Sequence, residues 1–147
     1  MKALLLALFS LSVLVASSAI ADEAGKHPAY LRALADLRHA RALIEKPTDS
    51  AAVANEEKTA IAEIDMAINE IKKAAIDDGK DLKDHPPIDA KLERKGRFHQ
   101  ALELLAKARS DIKREEDNPA AAGLRERALF HIDEAFVTIT LHLPNIK

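Results

Sequence analysis

Residues 30–44 read YLRALADLRHARALI and residues 98–112 read FHQALELLAKARSDI, and the two stretches align without a gap at a constant offset of 68. Tyr30, Ala33, Leu34, Leu37, Ala40, Arg41 and Ile44 fall on Phe98, Ala101, Leu102, Leu105, Ala108, Arg109 and Ile112. Further along, Ala60, Ile61, Ile64, Asp65, Ala67 and Ile71 fall on Ala128, Leu129, Ile132, Asp133, Ala135 and Ile139, so residues 30–72 repeat as 98–140. Apolar residues three and four apart define one helical face. A duplicated helix hairpin with such faces cannot bury them alone and packs on its copy. The expectation is all-α: an antiparallel four-helix bundle made of two tandem helical hairpins.

Punctuation residues place the elements. Pro28 suits the first position of a helix that runs to about Glu45, where Pro47 stops it. Ser50 is a fitting N-cap for a second helix reaching Ile76, with Gly79 in the capping place beyond it. Ile61, Ile64, Ile68 and Ile71, with Ala60, Ala67 and Ala74 every seven residues, make a narrow coiled-coil-like seam. A connector rich in Asp, Lys and Pro follows over about 77–96, with a short helical turn expected within Ile88 to Arg94. The third helix is expected from about Arg97 to Glu116, with Phe98, Ala101, Leu102, Leu105, Ala108 and Ile112 facing inward. Asn118-Pro119 opens a fourth that ends near His142 before Pro144. Hairpin one thus covers about 28–76 and hairpin two about 97–142.

The first residues read as an export address. Lys2 is followed by the 13-residue apolar run Ala3 to Val15, too short to span a bilayer, and then by Ala19-Ile20-Ala21, the small-x-small pattern of a cleavage site. Cleavage after Ala21 leaves 126 residues, 22–147, as a single domain with a charge of −3 from 21 basic and 24 acidic side chains. Interleaved, near-neutral charge argues against a nucleic-acid partner. No cysteine is present, so packing alone must hold the fold in an oxidising compartment. The mature sequence holds no apolar segment of spanning length. A periplasmic location is expected, with secretion as the other outcome of export.

This layout resembles uncharacterised proteobacterial periplasmic four-helix proteins. With His27, His99 and His131 borne on or beside its helices, it also has a weaker likeness to the small metal-binding protein family, which is exported, helical and repeat-built. That resemblance implies metal handling. The family is far richer in histidine than this chain, which has six, and this argues against multi-metal storage.

Enzyme chemistry finds little footing. The mature chain has only Ser50 and Ser110, no cysteine, no phosphate-cradling glycine loop, and neither His-Glu-x-x-His nor Glu-x-x-His. Asp77, Asp78, Asp81, Asp84 and Asp89 lack the spacing and closing Glu of a calcium loop. Counting heights at about 1.5 Å per residue from each hairpin turn puts Asp65 opposite the start of helix one and Asp133 opposite the start of helix three. One bundle end would then gather His27, His99, His131, Asp65, Asp133 and Glu63, a donor set suited to Zn or Cu. A plainer role for Asp65 and Asp133 is to fix register through interhelical polar contacts, Asp65 with the Tyr30 hydroxyl for example. The same height count places Arg41 nearer Glu56 or Glu57 than Asp65. The leading expectation is a non-enzymatic exported bundle that binds a protein partner or small ligand, self-association included. A low-capacity Cu or Zn binder is the alternative.

Overall fold

The computed structural model describes residues 27–45, 51–73, 79–114 and 122–142, so the expected export address lies outside the described residues. Among the described residues there are four helices: α1 (Pro28–Ile44), α2 (Ala51–Lys73), α3 (Arg94–Arg114) and α4 (Ala122–His142). Pro28 opens α1 as expected, and the Glu45 N–H closes it on the Arg41 carbonyl. The expected extension of α2 to Ile76 falls on residues that are not described, but Gly79 beyond it does take the left-handed conformation, with φ 69°. Helix α3 starts three residues earlier than expected, at Arg94, and shortens the connector. Its expected turn is present, with the Leu92 N–H bonded to the Asp89 carbonyl.

The bundle is all-α, and its interior is one contiguous cluster fed by every helix, including Leu34, Leu37, Ile64, Ile68, Leu105, Ile112, Ile132 and Ile139. Ala33 and Ala40, Ala60 and Ala67, Ala101 and Ala108, and Ala128 and Ala135 are all buried. Each helix therefore contributes small residues seven apart, which lets neighbouring backbones approach closely. One inward assignment changes on α3. Leu102 is only half-buried, whereas Arg97, Leu104 and Asp111, again seven apart, are buried. A helix packed against two neighbours buries a wider stripe than a single seam.

The packing is most extensive between α1 and α3 and between α2 and α4, that is, across the two halves. Side-chain pairs give the directions. Arg32, early in α1, holds Asp111, late in α3, at 3.2 and 3.1 Å. Arg127, early in α4, bonds Glu70, late in α2, and His142 at the end of α4 meets Glu56 near the start of α2. Both cross-half pairs are thus antiparallel. The order is up-down-down-up, with α3 starting at the end where α1 stops, and the connector must run the length of the bundle to get there. Leu82, Ile88 and Leu92 pack it on the core, and the fully buried Arg38 donates from Nε to the Asp84 carbonyl at 3.2 Å.

The two halves are related by an approximate two-fold axis. His131 and Glu63 are counterparts at the repeat offset, and they face each other at 2.7 Å. Asp111 is the counterpart of Leu43, so its pairing with Arg32 places the same axis across α1 near Leu37.

Candidate functional site

Each of the six residues expected to gather around a metal has a definite place, and only His131 and Glu63 meet. His27 precedes α1 at one end, its ring edge-on to Tyr30 at 6.0 Å. His99 is exposed on α3 near its start, which lies at the opposite end. His131 sits at the two-fold axis, bonded through Nδ1 to Glu63 and edge-on to Phe130 at 5.4 Å. Asp65 accepts from Arg41 Nε at 2.7 Å, and Asp133 takes two bonds from Arg109 at 2.5 and 3.2 Å. The expected gathering at one end is therefore not formed. Its premise was that α1 and α3 start at the same end, and the second hairpin is turned end for end. Among the described residues no three His, Asp or Glu side chains stand close enough to hold a metal ion.

The height count for Arg41 also needs correction. Arg41 lies three residues before the end of α1, yet it pairs with Asp65, fourteen residues into α2. Helix α2 therefore overshoots the end of α1 by about ten residues, roughly 15 Å at the helical rise. The pairing recurs in the second half as Arg109 with Asp133, so each hairpin carries the same clamp on its register. The Asp133 hydrogen bond raises the Arg109 pKa above its ordinary value, against the smaller opposing effect of burial.

Polar groups that sequence patterning did not single out complete the picture. Arg32 and Asp36 on α1 face Lys107 and Asp111 on α3, and burial pushes the Asp36 pKa up, with Asp111 adding to the rise and Lys107 and Arg32 opposing it. At the end where α3 begins, Arg94 pairs with Glu57 and lies over the Phe98 ring at 5.7 Å. Arg97 beside it is buried, and its Nε has no hydrogen-bond partner.

The other feature is apolar. On α4, Phe130, Val137 and Leu141 are 57%, 50% and 67% exposed. Spacings of seven and four put them on a single outward face, spanning about 16 Å at the helical rise. Met66 on α2 is exposed too, level with Phe130 in the antiparallel α2–α4 layer. The repeat supplies an internal control: the counterparts of Phe130, Val137 and Leu141 are Ala62, Asn69 and Lys73. The fold builds the same layer from small and polar residues on α2. A search for periodicity outside the inward seam would have found this row.

Comparison of the chain with protein-family models, with curated proteins and with solved structures returns no match.

Proposed function

We propose that this is an exported, non-enzymatic helical bundle that binds a protein partner, and that the outward face of α4 is where the partner docks. The observation that carries it is the exposed row Phe130, Val137 and Leu141. Single exposed apolar side chains are ordinary, whereas a contiguous row on one face marks an interaction surface. The counterpart positions on α2 show that the packing of the bundle does not demand apolar residues there. A partner that matches it presents an apolar helix or groove of similar length, read at i, i+7 and i+11. Glu134, exposed on the same helix, favours a partner with a basic residue at the rim. Export rests on the Lys2, Ala3–Val15 and Ala19–Ala21 pattern.

The test places a photo-crosslinking amino acid at Val137 or, as a control, at Asn69, in cells that produce the full chain. A discrete adduct from position 137 that is lost on Phe130→Ser and absent from position 69 supports the docking face. An adduct of twice the chain mass identifies the partner as a second copy. Equal labelling from both positions, or none from 137, overturns the proposal. Export is checked separately by N-terminal sequencing, which should find Asp22 first.

A further inference from the structure

Arg97 stands in a row that the fold buries. Its neighbours in that row, Leu104 and Asp111, are buried, and its counterpart in the first half is the buried Ala29. A guanidinium thus occupies a place that the other hairpin fills with a methyl group. Arg97 is 5% exposed, and among the described residues no hydrogen bond or ion pair reaches its side chain. Glu57, the carboxylate closest in effect, is already bonded to Arg94. Burial and the charge of Arg94 both press the Arg97 pKa down, and Glu57 offsets this only in part.

The surroundings accumulate further positive charge. The first turn of α3 carries Arg94, Lys95 and Arg97 and no acidic residue. Helix N-termini ordinarily attract acidic side chains, because their free N–H groups and dipole present positive charge. Lys95 and Arg97 therefore add to the field rather than neutralise it, while Arg94 is held by Glu57. Glu93, just before the helix, is exposed. A buried cation left unpaired is destabilising, and an oxyanion held in the guanidinium fork removes that penalty.

We propose that the buried Arg97 guanidinium, beside the first turn of α3, forms a binding site for a small oxyanion, a ligand bearing a carboxylate or phosphate group. Helix N-termini bind such groups directly, and an arginine fork gives bidentate geometry. The site is independent of the α4 face.

Calorimetry on the full mature chain at pH 7 tests it, in chloride alone and then with inorganic phosphate or acetate at matched ionic strength. The wild type and Lys113→Ala, a change at the far end of α3, should gain roughly 4–8 °C in Tm with the recognised anion at ten times its Kd. Arg97→Met and Arg97→Ala, the second restoring the residue of the other hairpin, should show no gain. A response to phosphate alone identifies a phosphate-bearing ligand, and a response to acetate alone a carboxylate. No response to either anion, or an equal response in both Arg97 variants, overturns the site and leaves only a general salt effect.

Discussion

His131 stands 2.7 Å from Glu63, its own counterpart in the other half of the chain. A residue on a two-fold axis must face its copy, and in a symmetric pair of hairpins that copy would be identical. Two glutamates or two histidines would then meet. In a single chain the two positions can differ, and here they form a complementary pair.

Exchanging the two residues should therefore be tolerated. The double variant Glu63→His with His131→Glu keeps the pair across the axis and should melt within about 2 °C of the wild type. Glu63→His alone sets imidazole against imidazole in place of the complementary pair and should lose about 1 kcal/mol. Thermal melts of the three proteins at pH 6 decide it. A double variant as unstable as the single one refutes the axis.

Acid should act on two groups at different pH. The Lys73 hydrogen bond and the Arg127 contacts outweigh burial and hold the Glu70 pKa below the usual carboxylate value. Its contribution is present above the unfolded pKa of about 4.3 and is lost as pH falls through the folded value. Glu70→Gln should lower Tm at pH 7 by about 2–4 °C, a modest effect because both cations are largely exposed, and the difference from the wild type should shrink as the pH falls below about 4. Burial, with the charge of His85, lowers the His39 pKa instead. The unfolded chain then takes the proton first, so stability declines as pH drops below about 6.5. His39→Gln should flatten the slope of Tm between pH 7 and 5, and unchanged slopes in both variants would contradict these assignments.

Arg38 ties the connector to α1. It is 1% exposed and reaches the Asp84 carbonyl, so Arg38→Met keeps much of the buried stem and removes the donor. The exposed residues around Lys83 should then be cut by trypsin several times faster, with a loss of about 1–3 kcal/mol in stability. Limited proteolysis with mass mapping checks both the rate and the position of the cut. Faster cleavage elsewhere and not in 80–95 would rule out this tether.

Metal addition should leave the protein unchanged. The aspartates nominated from sequence are bonded to Arg41 and Arg109, and the histidines lie at separate heights. Excess Zn or Cu should move Tm by less than about 1 °C, and His99→Ala with His131→Ala should not alter that response. A metal-dependent rise lost in the double variant would show a site that these contacts do not account for.

Much of the architecture was legible because the offset of 68 recurs in apolar residues whose spacing has only one helical interpretation. Pro28 marked a boundary for a local steric reason and opens α1 as expected, and Gly79 takes the left-handed backbone that a capping glycine needs. The relative direction of the hairpins was not legible, because periodicity fixes which side of a helix is inward and says nothing about which end meets which. That single unknown decided the candidate site. Asp65 was rightly suspected of setting register, but Arg41 as its partner depended on an overhang that no count from a flush turn contains. Arg97 escaped notice because a charge in an apolar row looks, one residue at a time, like a solvated edge.

The most extensive contacts join α1 to α3 and α2 to α4, segments separated by about fifty residues of chain. Helical bundles ordinarily fold fast through contacts that are close in sequence. In this protein the first hairpin, once formed, has little interior of its own until the second arrives. Folding should therefore be slow for an all-helical chain, with a half-built intermediate that exposes the aliphatic surface of α1 and α2 to whatever meets it first.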